Sequence, residues 1–296
     1  MDASQGTPPP LLAEGEPPAS PGAGSGRRPS SVSEWSPWFA PLALFAGLVV
    51  ATVGSLIIDI PAAALGVDVN AKNLPPGLVI ADTAVQDAGF VAVAIFFAQV
   101  GGRAVAAGMF GLRPARFWRA VRLAVLTLVG FLLFSYIWTT IFQTEEEDLL
   151  KKLGTDKGAV LLVLSAALTC VIAPLCEEFL FRGFIFTALR NWRGLWPAAV
   201  ITGVLFGGVH VGSAPALDLV PLAVLGFGLC LLYRATGSLY PCIAAHCVNN
   251  SLAFGSLENW GWQIPVLMAS SLLVLGSIAL ALTRAGVTAR VAARTV

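Results

Sequence analysis

Apolar residues fall along this chain in eight long runs, at 39–60, 83–102, 121–142, 158–189, 195–211, 217–233, 239–257 and 265–282. Each run approaches the roughly 20 mostly apolar residues that a helix needs to cross a bilayer. The second is the weakest, because Asp82, Gln86 and Asp87 crowd its start. The pattern predicts an all-α fold, a polytopic transmembrane helical bundle of about eight spans. Ahead of it, residues 1–34 are rich in Pro, Gly, Ser and Ala and have no hydrophobic period, which predicts a disordered tail. The tail has no apolar segment followed by a small-residue cleavage site, so no removable signal peptide is expected, and the run after Arg27-Arg28 is long enough to be an anchor. The chain therefore divides into the tail, N-terminal transmembrane helices at 35–157, a four-helix core at 158–257, and a last transmembrane helix with a basic C-terminal tail at 258–296.

Composition agrees with this reading. The chain is 56% hydrophobic and 12% charged, against roughly 25% charged in a soluble protein, so the bilayer is its solvent. Basic residues are scattered over short loops rather than gathered in a stripe, which argues against nucleic-acid binding. Arg103, Arg113, Arg116, Arg119, Arg122, Arg190, Arg193, Arg234, Arg284, Arg290 and Arg294 all join the Arg27-Arg28 side if eight spans cross. The opposite loops carry Asp59, Asp68, Glu145, Glu146, Glu147, Asp148 and Glu258, with Lys151, Lys152 and Lys157 mixed into the acidic run. The positive-inside rule then puts both termini in the cytoplasm, and the Ala/Gly/Pro-rich composition suggests a prokaryotic plasma membrane. The five cysteines, Cys170, Cys176, Cys230, Cys242 and Cys247, lie in apolar runs without CxxC spacing and read as packing residues.

The fourth run breaks its own pattern with Glu177, Glu178 and Arg182. Charges inside a membrane segment cost about 2.5–3.5 kcal/mol each on insertion scales and persist where something uses or pairs them. On a helix Glu178 and Arg182 stand one turn apart and suit an ion pair, while Glu177 is rotated about 100° away and has no partner in its own segment. Pro174 removes a backbone hydrogen bond just before them, which predicts a kink that frees a carbonyl and re-aims the carboxylates; the alternative is a packing kink.

Both of the chain's two histidines also lie in apolar runs. His210 follows Phe206 by four residues, and Asn250 follows His246 by four, so each pair shares a helical face. Gly207 and Gly208 either admit a close neighbour or substrate or serve tight helix packing. Together, three helices offer a carboxylate, a histidine beside an aromatic ring, and a histidine beside a carboxamide. Amide hydrolysis needs a base for water, an acid for the leaving amine and donors for the oxyanion, and this set supplies each. Glu177 is the candidate base, His210 orients or shares the water, His246 and Asn250 are candidate oxyanion donors, and Glu178 with Arg182 fixes the helix.

Glu177-Glu178-x-x-x-Arg182, Phe206-x-x-x-His210 and His246-x-x-x-Asn250, in this order on successive apolar segments, resemble the three motifs of the CAAX prenyl endopeptidase and bacteriocin-processing family of intramembrane proteases (CPBP, or ABI), which includes the type II CAAX proteases. The resemblance covers about residues 158–256. It implies a catalytic set of Glu177, His210, His246 and Asn250, supported by Glu178, Arg182 and Phe206, that cleaves a membrane-associated or lipidated (prenylated CAAX-type) protein or peptide. The family was named for metalloproteases. A divalent metal such as zinc would draw on Glu177, His210 and His246, whereas a metal-free glutamate mechanism would use the same residues and leave the carboxamide of Asn250 to the oxyanion. A non-proteolytic immunity or membrane adaptor protein on the same scaffold is the competing reading. A transporter is disfavoured by the lack of paired interrupted helices.

One difficulty attends convergence. Counted from Leu195, His210 lies about 22 Å into its helix, whereas Glu177 looks shallower. The motifs meet if Arg182 is buried, if the fourth helix runs on obliquely past Leu189, or if the fifth starts nearer Ala199.

Overall fold

A computed structural model describes residues 35–70, 74–102, 104–143 and 152–292, with side chains as far as residue 284. The tail, Arg103, the acidic run at 145–148, Lys151 and the side chains of Arg290 and Arg294 lie outside the described residues. Among those described, eight long helices follow one another: α1 Phe39–Ala64, α2 Pro76–Gln99, α3 Phe117–Phe142, α4 Ala159–Arg193, α5 Leu195–Gly208, α6 Leu219–Thr236, α7 Tyr240–Leu257 and α8 Gln263–Ala292. The fold is a helical membrane bundle, as the apolar runs predict.

The span count roughly matches the prediction of about eight. Among the described residues, six helical segments are long and apolar enough to cross a bilayer: α1, α2, α3, α4, Ala216–Thr236 containing α6, and Gln263–Arg284 within α8. The other two predicted spans fall short for different reasons. With 14 residues, α5 reaches about 21 Å, against a hydrocarbon core of about 30 Å. At 18 residues α7 has the length, but His246, Asn249, Asn250 and Ser251 dilute its hydropathy. Two boundaries also move. Pro76 starts α2 seven residues before the predicted span, as suits a residue with no N–H to leave unpaired in a first turn. Phe117 and Trp118, ahead of the predicted third span at 121–142, open α3 and remain largely exposed, as interfacial aromatics do.

The bundle is built around α4, which α1, α2, α5, α6 and α7 all touch. Two stretches of α4 are wide π turns, Leu168–Ile172 and Phe179–Phe186, with the α-helical Ala173–Glu178 between them. Pro174 accounts for the first. Ala173 N–H bonds to the Leu168 carbonyl five residues back; the next bond in that register, from residue 174 to Thr169, has no donor because proline has no N–H.

Helices α5 and α6 pack closely because glycines face each other. A Cβ on Gly203 would lie 2.7 Å from the Ala223 carbonyl oxygen, and one on Gly226 would lie 2.9 Å from Phe206 Cβ. Gly207 belongs to the same seam, where a Cβ would come within 2.5 Å of the Leu219 carbonyl oxygen, while Gly208 has open space beside it. Of the two readings open for this glycine pair, packing holds for Gly207. At one end of the bundle, the α2–α3 connection is pinned to the α6–α7 turn. Arg113 Nε donates to the Gly237 carbonyl (2.6 Å), Leu239 N–H to Gly111 (2.8 Å) and Tyr233 O–H to Phe110 (3.2 Å).

Candidate active site

The buried charges come first, because their pairing dictates the rest. Arg182 and Glu178 are both 0% exposed. Arg182 Nη1 donates to Glu178 Oε1 at 2.5 Å, Nη2 donates to the Gly226 carbonyl at 2.9 Å, and the guanidinium lies 4.5 Å over the Phe206 ring. A charged pair removed from water is tolerated only with such geometry, since each ion loses several kcal/mol of hydration. The Gly226 carbonyl within reach and the Phe206 ring beneath both depend on the glycine seam between α5 and α6. The seam thus anchors the arginine, and the arginine anchors Glu178.

Glu178 Oε1 also receives His246. The imidazole Nδ1 stands 2.9 Å from it, and His246 Nε2 stands 3.8 Å from Glu177 Oε2. A carboxylate at Nδ1 requires an N–H there, which turns Nε2 toward Glu177. When His246 carries its second proton, Nε2 becomes a donor on the open side of the ring, and the four groups Arg182, Glu178, His246 and Glu177 are then neutral in sum. Glu177 is 8% exposed, the one member of the charged trio that water touches.

Phe206 links the remaining histidine to this set. Its ring centroid is 5.6 Å from that of His246 and 5.2 Å from that of His210. His210 sits just beyond the end of α5, half-buried, with Nδ1 2.8 Å from the Phe206 carbonyl. Only an N–H can satisfy that carbonyl, so the neutral ring presents the Nε2 lone pair outward.

Asn250 is fixed by the proline defect. Its Nδ2 donates to the Thr169 carbonyl at 2.9 Å, the carbonyl that Pro174 leaves without a partner in α4. Its Oδ1 accepts from Asn249 Nδ2 at 3.2 Å, which sets the orientation of the amide and leaves the second N–H of Nδ2 uncommitted. Replacing Pro174 by Ala restores a backbone N–H that competes for Thr169. The expected outcome is a slight gain in helix stability and a loss of about tenfold in turnover, the worth of one hydrogen bond at about 1.4 kcal/mol. Thermal unfolding and initial rates measured on the same preparation check it; turnover at the wild-type level would show that the freed carbonyl does not set Asn250.

Glu177, Glu178, Arg182, Phe206, His210 and His246 thus form one connected cluster, with Asn250 one helical turn from His246 and held against α4. The depth difficulty resolves as the buried-arginine alternative requires: Arg182 is fully enclosed and α4 runs to Arg193. Sequence reasoning missed Asn249, the Gly226 carbonyl and the Thr169 carbonyl; Pro174 was the signal for the last. Among the described residues no three His, Cys, Asp or Glu side chains group so as to hold a metal ion. In this arrangement Glu177, His210 and His246 are not gathered as a zinc centre would need.

With this geometry fixed, the chain can be set beside known proteins. Residues 159–252 match the family of type II CAAX prenyl endopeptidases, Rce1-like. This Rce1-like segment contains every residue of the three motifs, and its family is the one those motifs resemble. A Bacillus subtilis protein named "Putative membrane peptidase YdiL" is 32% identical over 88 residues, 30% of this chain and 35% of that protein. An Escherichia coli 24.3 kDa protein is 30% identical over 109 residues, 36% of this chain and half of its own length. A Mycoplasma capricolum protein is 30% identical over 95 residues, covering 32% of this chain and 27% of that one. The matches thus span half or less of these curated relatives. No solved structure matches at a significant level.

Proposed function

We propose that this protein is an intramembrane endopeptidase in which Glu177 activates water against a peptide bond of a membrane-associated substrate, a prenylated CAAX-type protein or peptide foremost. The observation that carries the reading is His246 held between two carboxylates, 2.9 Å from Glu178 and 3.8 Å from Glu177, under the ring against which His210 packs.

In the reaction, the Glu177 carboxylate takes a proton from water that His210 Nε2 helps orient, and the water oxygen bonds to the carbonyl carbon. Charge develops on the carbonyl oxygen, where His246 Nε2–H and the free Asn250 Nδ2–H are the donors. Glu177 then passes its proton to the amide nitrogen, the C–N bond breaks, and a carboxylate and an amine leave. Glu178 and Arg182 hold His246 throughout. The scattered loop arginines support a cytoplasmic location for both termini, and the bacterial relatives support a prokaryotic plasma membrane.

Purified protein in lipid vesicles, given a farnesylated CAAX peptide, the same peptide without lipid and an unrelated membrane peptide, tests the proposal by mass spectrometry of the products. The expected result is C-terminal shortening of the farnesylated peptide ahead of the other two. If folded protein cuts none of them and a cellular phenotype survives Glu177→Ala, the adaptor reading replaces this one.

A further inference from the structure

Between α3 and α6 a groove opens on the outer face of the bundle, where Leu126 is largely exposed. It holds about 380 Å³ and is lined by Leu123, Leu126 and Gly130 from α3 and by Phe227, Gly228 and Leu231 from α6. The two helices run antiparallel in a fixed register: Trp138 Nε1 donates to the Leu217 carbonyl at 2.9 Å, and a Cβ on Gly228 would lie 3.2 Å from Thr127 Cγ2. A Cβ on Gly130 would meet nothing within 4 Å, so the missing side chain leaves the floor of the groove open. From Leu123 to Phe131 the α3 wall extends about 12 Å at 1.5 Å per residue. That is most of the depth of one leaflet, about 15 Å of a hydrocarbon core of about 30 Å.

Both walls end in arginine, and at the same end. On α3, Arg119 precedes Leu123 by four residues and Arg122 precedes Leu126 by four; on α6, Arg234 follows Leu231 by three. Residues so spaced share a helical face. Counted from the contact between Thr127 and Gly228, Arg122 stands about 7.5 Å and Arg234 about 9 Å toward that end, with Arg119 about 4.5 Å beyond Arg122. All three are exposed, and none takes part in an ion pair among the described residues. Arg122 Nε donates to the Trp118 carbonyl at 3.4 Å, which leaves both amino groups of its guanidinium uncommitted. Trp118 itself is largely exposed and marks the headgroup level.

An apolar trough one leaflet deep, ending in cations that no carboxylate pairs, is complementary to an anionic amphiphile. A zwitterionic lipid brings its own cation to its phosphate, whereas an anionic lipid leaves that charge for guanidinium groups, which grip phosphate oxygens two at a time. We propose that the α3–α6 groove is a binding site for an anionic glycerophospholipid, with one acyl chain lying over Gly130 and Gly228 and the phosphate held by Arg119, Arg122 and Arg234. None of these residues belongs to the three motifs, so the site stands apart from the peptidase reading and from its fate.

Native mass spectrometry of the full chain in detergent, titrated with phosphatidylglycerol and with phosphatidylcholine of the same chains, tests this. Wild type is expected to hold one phosphatidylglycerol at least about tenfold more tightly than phosphatidylcholine, since each arginine near a membrane surface adds about fivefold to anionic-lipid affinity. Glycerophosphoglycerol, the headgroup without chains, is expected not to displace it; displacement would assign the arginines to a soluble phosphate ester and overturn the lipid site. Arg119→Gln, Arg122→Gln and Arg234→Gln combined should bring the two lipids within about twofold of each other. Gly130→Leu puts its side chain into open space, so it should fold with an unfolding midpoint at or above that of wild type. It should nonetheless hold phosphatidylglycerol at least about fivefold more weakly with all three arginines in place, because contacts along the acyl chain are lost. Equal retention of the two lipids by wild type, or phosphatidylglycerol held as tightly by either variant as by wild type, would overturn the proposal.

Discussion

Replacing Arg182 by Met should be the most destabilising single change in the helical core, costing about 3–5 kcal/mol. The side chain is wholly enclosed, and its removal abandons Glu178, a buried anion whose Oε2 already has no partner. His246 would be left as the sole group on Glu178 Oε1, and the Gly226 carbonyl would lose its donor. A lysine does not repair this, since one ammonium cannot reach Glu178 and Gly226 together while lying flat on Phe206. The double variant Glu178→Gln with Arg182→Met should recover part of the loss, because no unpaired charge then remains. Unfolding curves of the three variants in mild detergent read the effect. A stability unchanged in Arg182→Met would mean that the pair does not hold α4 against α6.

Replacing Glu177 by Gln should instead leave the fold intact and remove the chemistry. The Glu177 side chain retains some exposure, and its ion-pair contact in the site, to His246, is 3.8 Å long, so little packing depends on its charge. A positioned general base supplies about 10²–10⁴ in rate, and a loss of that size in kcat is expected, with KM and the unfolding midpoint close to wild type. The contrast between the two variants separates scaffold from chemistry within one motif of six residues. Adjacent glutamates serve opposite ends. Glu178 is bound on the inside to an arginine and a histidine, and Glu177 is turned toward water.

The sequence announces the large elements because the bilayer demands long apolar runs, and α1 to α4, α6 and α8 obey that demand. Its signal is weaker at α5 and α7 for the same reason inverted. These helices carry the site, so α7 substitutes polar side chains for apolar ones and α5 stops at Gly208, two residues before His210. The three motifs are legible from spacing alone, since His246 and Asn250 or Glu178 and Arg182 four residues apart must share a helical face. The π turns are not legible, although Pro174 points to a missing bond. Which carbonyl it frees, and that Asn250 from another helix meets it, depends on packing between α4 and α7. Asp87 shows the opposite failure. Along the chain it reads as a blemish on a weak span, and only the fold shows that it is buried within the bundle.

The account stands or falls on water, activated by Glu177, being the species that attacks the peptide carbonyl. Single-turnover cleavage in ¹⁸O-labelled water, followed by mass spectrometry of both the peptide product and the intact protein, addresses this directly. The predicted result is one labelled oxygen in the new carboxyl terminus, no acyl adduct on the protein at any time, and neither product nor label with Glu177→Gln. An adduct on Cys176, the thiol beside Glu177, or label appearing at the wild-type rate with Glu177→Gln, would contradict it.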